Sequence, residues 1–389
     1  MSSPDLSDSE REAVAAVLRT PFLSMGNEIS DFEAIFCQYT GLRYAIGVSS
    51  GTAGLHLCVR AAGIQEGDMV ITTPFSFVSS TNVLLYERAV PVFVDVDPNT
   101  GNIHPELVRQ AADDLMRGGE RAERWLPRKG VARTGRLKAI LPVDVFGQPA
   151  DYDPILETAR QHGLKVIEDA CEALGARYKD RLAGSLGDYA VFAFYPNKQI
   201  TTGEGGMIVT DDSQASQLMR ALRNQGRAPG DTWLQHSLLG YNYRMDEMSA
   251  ALGRAQMKRL EELLERRSQV ALWYEEQLKE IPGVQSPQLA PETSRASWFV
   301  YVVRIDLEID RDRLAERLEQ TGIPVRPYFL PIHLQPYMVE KFGYRPGDFP
   351  VTEALGRQGL ALPFSGVMSQ AQVYEVCQTL REAIESLNH

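Results

Sequence analysis

Two side chains of this chain have the chemistry of an amine nucleophile and of a buried acid. Lys198 lies in the segment AVFAFYPNKQITTGEGG, between an apolar stretch and a glycine-rich turn. An amine held among apolar and aromatic neighbours loses its charge more readily than a surface lysine, as a nucleophile requires. Asp169 ends the apolar segment KVIED, and a carboxylate at such a strand end points to the crevice where α/β proteins bind ligands. Glu168 would face the opposite side of the strand.

A third candidate is a turn of small residues, SSGTAG at positions 49–54, between an apolar stretch and a helical pattern. At a helix N-terminus such a turn presents free backbone N–H groups and the positive end of the helix dipole, and the Thr52 hydroxyl adds a donor, so a phosphate could bind there. Each feature also has a plain structural interpretation. Ser50 or Thr52 could simply cap the helix, one of the two acids could cap the next helix, and Lys198 could be an exposed loop lysine.

Together the three features meet the requirements of one cofactor. Pyridoxal phosphate needs a lysine for its Schiff base, an acid that keeps its pyridine nitrogen protonated so that the ring accepts electrons, and an anion site for its phosphate. The sequence has no GxGxxG after a strand, no GxxxxGK[ST], no HExxH and no GxSxG, so nicotinamide, P-loop, zinc-protease and serine-hydrolase sites lose their main support. No metal site is expected, because the four cysteines are far apart and form no CxxC pair.

Short apolar runs bounded by turn residues predict the strands that position these groups. They lie at residues 44–48, 69–72, 91–94, 139–143, 165–167, 190–194 and 207–209. Helical patterns alternate with them, for example at 54–62, 105–116 and 155–162, and this alternation predicts an α/β fold with a largely parallel sheet.

The pattern changes near residue 250, where we place a domain boundary. A long amphipathic helical stretch begins near residue 246 and ends at Pro282-Gly283. A strand at 299–305 and helices at 311–320 and 370–387 are predicted beyond it. We therefore expect a large cofactor-binding domain at residues 1–250 and a smaller α+β domain at residues 251–389.

Composition and termini exclude several partners. With 40 Lys and Arg against 51 Asp and Glu, the net charge is −11, which argues against a dedicated nucleic-acid binder. The opening MSSPDLSDSEREAV has no basic and no apolar region of a signal peptide, and no uncharged apolar run reaches 18 residues. A cytoplasmic protein without a membrane partner is expected.

Eight segments, in order, resemble the DegT/StrS family of nucleotide-sugar aminotransferases, which are fold-type I pyridoxal-phosphate enzymes. They are GVSSGTAGLHL (47–57), TPFSFVSSTN (73–82), PVFVDVDPNTGNI (91–103), PVDVFGQPADYDPI (142–155), HGLKVIEDACEALGARYKDRLAGSLGD (162–188), FAFYPNKQITTGEGGMIVT (192–210), GYNYRMDEMSAALG (240–253) and RPYFLPIHLQPYM (326–338). Several motifs in one order are far more specific than any single motif. The resemblance implies a large domain with a mostly parallel seven-stranded sheet flanked by helices, and a smaller C-terminal α+β domain joined by a long helix.

The resemblance also assigns site residues position by position. Lys198 would bind the cofactor through its amine, and Asp169 would hold the proton on the pyridine nitrogen. The remaining assignments are Gly51, Thr52 and Ala53 at the phosphate, Phe77 stacked on the ring, Glu172 near the ring's hydroxyl edge, Asn242 reaching the phosphate of a second subunit, and Arg244 and His333 near the nucleotide sugar. Many members have a serine, whose hydroxyl helps to bind the phosphate, where this chain has Ala193; one lost hydrogen bond should weaken that site by about 1 kcal/mol.

The implied reaction is a ping-pong transfer of the amino group of L-glutamate to a nucleotide-linked keto sugar, in a homodimer with shared active sites. The segments GEGGM and EDACEALGA are more similar to members that act on 4-keto-6-deoxy sugars, such as perosamine synthases, than to those that act on 3-keto sugars. Three alternatives stay open: a 3-keto-sugar aminotransferase, a pyridoxal-phosphate sugar dehydratase, and a non-catalytic regulator on the same fold. Lys198 argues against the dehydratase branch, which has histidine at this position.

Overall fold

The computed structural model describes residues 3–131 and 135–387. Within these ranges the helices are α1 Asp8–Leu18, α2 Asn27–Thr40, α3 Gly51–Ala61, α4 Ser79–Tyr86, α5 Pro105–Arg117, α6 Glu120–Glu123, α7 Tyr152–His162, α8 Ser213–Arg223, α9 Glu247–Lys258, α10 Leu260–Leu278, α11 Arg311–Gln320, α12 Pro336–Phe342, α13 Pro350–Gln358 and α14 Gln370–Leu387. The strands are β1 Tyr44–Val48, β2 Met69–Thr72, β3 Val90–Phe93, β4 Leu137–Leu141, β5 Lys165–Asp169, β6 Arg177–Tyr178, β7 Arg181–Leu182, β8 Tyr189–Ala193, β9 Gly206–Thr210, β10 Val284–Gln285, β11 Thr293–Arg295, β12 Tyr301–Ile305, β13 Arg326–Pro327 and β14 Gly359–Leu362.

A seven-stranded sheet forms the centre of the N-terminal part, in the order β1-β9-β8-β5-β4-β2-β3. Neighbouring strands from β8 to β3 pair in parallel, whereas β9 is antiparallel to both β1 and β8. All strands except β9 therefore run in one direction, and their carboxyl ends lie at one edge of the sheet. The predicted α/β fold with a mostly parallel seven-stranded sheet is confirmed, with strand bounds within two residues of those predicted.

Helices bury both faces of this sheet, which explains why its strands are almost continuously aliphatic. Side chains of α3, α4 and α8 pack on one face, and side chains of α2, α9, α5 and α7 pack on the other. Alternation along each strand divides its residues between the two faces. In β9, for example, Ile208 belongs to the first core and Val209 to the second.

The C-terminal part contains an antiparallel sheet, β10-β12-β14-β13, which packs with α10, α11 and α14 around a separate core. The helical stretch expected as one unit is two helices, because Arg259 leaves the helical conformation at ψ 6°. α9 packs against α1 and α2, whereas α10 packs against α14. The boundary near residue 250 stays a prediction. No helix in the described ranges combines the length and apolar character needed to span a membrane.

A glycine in the loop between β7 and β8 provides a stability test of this architecture. Gly184 has φ +89°, and a Cβ atom there would lie 2.1 Å from Cζ of the buried Phe192. We expect Gly184→Ala to lower the free energy of unfolding by about 3 kcal/mol, since overpacking adds to left-handed backbone strain. Gly163 has φ +64° with open space around its Cα, so Gly163→Ala should cost only about 1 kcal/mol. Urea unfolding measures both; equal losses would contradict the packing explanation.

Candidate active site

A cavity of about 530 Å³ opens at the carboxyl edge of the central sheet. Residues that follow β1, β5 and β8 line it, and the segment before the reversed strand β9 completes this side. Its lining includes Gly51, Thr52, Asp169, Ala193 and Lys198. The three features singled out in the sequence therefore meet in one cavity.

Asp169 is the acid of this cavity. Its residue is 4% exposed, and its Oδ1 accepts a hydrogen bond from the backbone N–H of Cys171 at 3.2 Å. Burial raises the pKa of the Asp169 carboxyl, while the hydrogen bonds from Cys171 and the charge of Lys198 oppose that rise. A buried carboxylate with a nearby cation is suited to hold a proton on a ligand nitrogen.

Lys198 is enclosed by an aromatic ring and a carboxylate. Its side chain is 13% exposed, its Nζ lies 3.7 Å from the ring centroid of Phe299, and the same atom lies 3.7 Å from Oε1 of Glu172. The second oxygen of Glu172 accepts the backbone N–H of Phe146 at 2.9 Å, which fixes the carboxylate. The exposed-loop interpretation of Lys198 is therefore wrong.

The backbone around Lys198 is held by a buried arginine. Arg267 donates to the carbonyl of Lys198 at 2.7 Å and to the carbonyl of Trp298 at 3.1 Å. Burial lowers the pKa of the Arg267 guanidinium to about 10. Because Trp298 precedes Phe299, this one side chain ties the lysine loop to the segment that carries the ring against the lysine amine.

The start of α3 forms an anion cradle beside these groups. Ser50 caps the helix by accepting the N–H of Ala53 at 3.1 Å, and among the described residues no acceptor bonds to the backbone N–H of Gly51 or Thr52. The cap and the anion site thus coexist, but the N–H of Ala53, which was also expected to bind the phosphate, is occupied by Ser50. A Cβ on Gly51 would lie 2.7 Å from Cβ of Ala193, so only glycine leaves the backbone this close to β8.

These residues fit pyridoxal phosphate. An amine, a buried acid and a helix N-terminus with free donors surround one space, and the Asn197 Oδ1 that borders it is buried without a partner among the described residues. Phe77 lines the same cavity and is 62% exposed, so its side chain is accessible to a ligand. The amine matches the aldehyde of this cofactor, the acid matches its basic ring nitrogen, and the free N–H groups match its phosphate.

Three predicted residues lie elsewhere in the chain. Asn242 forms a backbone bridge with Asn224, and Arg244 donates to the Asn224 side chain at 3.0 Å beside a separate cavity of about 370 Å³. His333 is fully buried and lies 3.1 Å from Oε1 of Glu353. Their proposed contacts with a cofactor phosphate or a sugar nucleotide stay predictions.

Sequence reasoning missed several residues of the cavity. The sequence predicts Phe299 as the start of a strand, but the strand β12 begins at Tyr301, and no local pattern connects Phe299 with Lys198. Ser76, Ser79 and Ser80 line the cavity at the start of α4, a helix that was not predicted. The hydroxyl-rich run of TPFSFVSSTN was the available signal, since serine favours helix starts.

Behind Asp169, on the opposite face of β5, lies a buried pair of carboxyl groups. Glu168 accepts backbone N–H groups of the loop after β7, from Gly184, Leu186 and Gly187. Asp144 is fully buried, and its Oδ1 accepts the hydroxyl of Tyr152 at 2.9 Å and the backbone N–H of Ala150 at 3.0 Å. Burial raises the pKa of Asp144, and raises the pKa of Glu168 to about 7. The capping role considered for Glu168 is replaced by this loop anchor.

This pair predicts a pH dependence of stability. Because the folded-state pKa values are raised, the folded chain binds more protons than the unfolded chain, and the pair's contribution to stability is lost as pH rises from about 4.5 through about 7. Asp144→Asn keeps an oxygen that can accept the hydroxyl of Tyr152 but removes one titrating group, so we expect the loss between pH 5 and 7 to shrink by on the order of 1–2 kcal/mol. Urea unfolding at pH 5, 6 and 7 measures it, with the exposed Asp153→Asn as control; parallel curves for the native chain and Asp144→Asn would contradict it.

The chain is similar to known proteins over nearly its whole length. Residues 4–381 match the model of the DegT/DnrJ/EryC1/StrS aminotransferase family. A GDP-perosamine synthase of Caulobacter vibrioides is 38% identical over 99% of this chain and 98% of its own, and that of Escherichia coli O157:H7 is 33% identical over 97% and 96%. The crystal structure of DesV from S. venezuelae, in complex with a ketimine intermediate, is 33% identical over 97% of this chain and 95% of its own, with a TM-score of 0.85.

Proposed function

Since this chain belongs to the DegT/DnrJ/EryC1/StrS aminotransferase family, we propose that it transfers the amino group of L-glutamate to a nucleotide-linked 4-keto-6-deoxy sugar with pyridoxal phosphate as cofactor. The chain is a pyridoxal-phosphate-dependent sugar aminotransferase. The donor, the nucleotide sugar and the residue roles are the proposal. The observation that carries it is the meeting of Lys198, Asp169 and the free N–H groups of α3 in one cavity.

When bound, pyridoxal phosphate supplies an electron sink for the pair left on the Cα atom of the amino donor. Lys198 would hold the cofactor through its Nζ until the donor amine takes that place. The freed Nζ would then take the proton from Cα of glutamate and pass it to the cofactor carbon to which it had been joined. In the second half-reaction it would take a proton back from that carbon and deliver it to the sugar carbon that receives the amine. Asp169 would keep the ring nitrogen protonated throughout, and the N–H groups of Gly51 and Thr52 would hold the phosphate.

The choice of a 4-keto sugar rests on similarity. Two relatives named GDP-perosamine synthase match nearly the full chain, and the GEGGM and EDACEALGA segments favour the same branch. The test is incubation with nucleotide-linked 4-keto-6-deoxy and 3-keto sugars, each with glutamate, followed by mass analysis of the products and stoichiometric measurement of 2-oxoglutarate. Amination of the 3-keto substrates alone would overturn the proposal.

The other two alternatives differ in a measurable product. A sugar dehydratase would release a sugar without new nitrogen, and a regulator would release no product. Transamination needs a lysine that is released from the cofactor and then acts as a base. Lys198 can take this role, which favours amination over dehydration. An amine-free product from the same incubations would replace our proposal, as would absence of the visible absorbance of a lysine-bound cofactor.

We propose that the active form is a homodimer with shared sites. Asn242 and Arg244 do not line the Lys198 cavity of their own chain, and Trp233, Leu234 and Leu239 on the preceding loop are each more than three-quarters exposed. Exposed apolar clusters of this kind favour contact with another chain.

Mixed dimers test the sharing directly. A mixed dimer contains one Lys198→Ala chain and one Asn242→Ala chain. If each site takes Lys198 from one chain and Asn242 from the other, one of the two sites in this dimer has both native residues. If both residues act within one chain, neither site does. Activity that appears on co-expression, and is absent from either variant alone, supports the proposal. No recovery in verified mixed dimers, or a fully active monomer by sedimentation, would overturn it.

A further inference from the structure

The anion cradle lacks one hydroxyl that the family resemblance led us to expect. Ala193 ends β8 directly beneath Gly51, where its Cβ would touch any Cβ added to that glycine. A serine at this position would bring a donor to the cradle. Alanine brings none, so the donors for a phosphate must come from other elements of the chain.

Ser79 lies where such a donor is needed. It is the first residue of α4, and its Oγ accepts the hydroxyl of Thr52 at 2.9 Å, so the starts of α3 and α4 meet side chain to side chain. Both hydroxyls line the same cavity. Since Thr52 is the donor in that bond, the Ser79 proton is unused, and no protein acceptor for it is found among the described residues.

The start of α4 also has free backbone donors. Its N-cap, Val78, makes no side-chain cap hydrogen bond, and no acceptor in the described ranges bonds to the backbone N–H of Ser79 or Ser80. Ser80 differs from Ser79, because its hydroxyl lies 2.9 Å from that of Ser76 and donates to the carbonyl of Phe77 at 3.1 Å. Of these serines, Ser79 is the one that contacts the cradle through Thr52.

We propose that the Ser79 hydroxyl donates a hydrogen bond to the cofactor phosphate and so replaces the hydrogen bond that Ala193 cannot make. This role rests on the proposed function. The anion site is then built at the junction of two helix N-termini, α3 and α4, and the Thr52–Ser79 contact holds both hydroxyls in place. The ligand group is a phosphate monoester dianion, which an uncharged hydroxyl and backbone N–H groups bind together.

The test compares two ligands that differ only in the phosphate. Apo forms of the native chain, Ser79→Ala, Ala193→Ser and the double variant are titrated with pyridoxal phosphate and with pyridoxal, and binding is measured by the visible absorbance of the lysine-bound ligand. For Ser79→Ala we expect Kd for pyridoxal phosphate to rise roughly ten-fold, the size of one charge-assisted hydrogen bond, with Kd for pyridoxal unchanged. Ala193→Ser on the Ser79→Ala background should restore most of this loss.

Two further variants separate the hydroxyl from the shape of the pocket. Ser79→Thr keeps the donor and should bind pyridoxal phosphate like the native chain. Ser76→Ala removes a hydroxyl of the same cavity that bonds to Ser80, and should leave the ratio of the two Kd values unchanged. Thermal unfolding of each apo variant checks that the fold is intact.

Each outcome decides the proposal. If Ser79→Ala leaves the ratio of the two Kd values unchanged while the native chain binds both ligands, the role of Ser79 is wrong and the proposed function stands. A native chain that binds neither ligand overturns the proposed function and the role of Ser79 together. A selective loss of phosphate affinity, rescued by Ala193→Ser, supports both.

Discussion

Replacing Lys198 with alanine is expected to abolish turnover, by more than about 10⁴-fold in kcat, and to remove the visible absorbance of the lysine-bound cofactor. The amine has two tasks in the proposed reaction, holding the cofactor and moving protons at carbon, and no other lysine lines the cavity in the described ranges. Both effects are measured on the same preparation, by absorbance and by formation of 2-oxoglutarate from glutamate.

The control for Lys198→Ala is a lysine removed from a solvent-exposed pair. Lys279, at the end of α10, is 68% exposed and lies 3.8 Å from Glu275, so Lys279→Ala should leave absorbance and turnover at native levels. Added small amines should partly restore proton transfer in Lys198→Ala without restoring a covalent link to the protein. An alanine variant that is active without added amines would end the assignment of Lys198.

Asp169→Asn is expected to lower kcat by on the order of 10²–10³-fold while the protein remains folded. Asparagine has the size of aspartate and can still accept the N–H of Cys171 through its Oδ1, but it carries no charge to keep a ring nitrogen protonated. Burial raises the pKa of the Asp169 carboxyl, so the charged form is costly in the apo chain and its removal should not reduce the free energy of unfolding.

The combination of lost activity and retained stability distinguishes this role from a structural one. Asp169→Glu, which restores the charge with one more methylene, should recover part of the lost kcat. Asp153→Asn, at exposed ion pairs with Lys179 and Arg181, is the matched control for removing a carboxylate and should change neither quantity. Native kcat in Asp169→Asn would show that the ring nitrogen needs no partner at this position.

The sequence alone determined much of the frame of this site. Apolar runs bounded by turn residues are a local signal, and they located the seven strands within two residues because buried parallel strands are aliphatic on both faces. Lys198, Asp169 and the 49–54 turn each follow such a run. Once the strands are known to be parallel, their carboxyl ends must lie at one edge, so the proximity of these groups follows from the fold class.

Tertiary structure decided which other side chains surround them. Phe299 reaches the Lys198 amine from the segment that precedes β12, far away in the chain, and buried Arg267 fixes both segments through backbone carbonyls. Ser79 lies against Thr52 only because α3 and α4 pack on the same face of the sheet. Local patterns carry no information about such contacts, since the free energy of packing depends on which surfaces meet, and residues far apart in the chain meet only after the sheet and its helices have assembled.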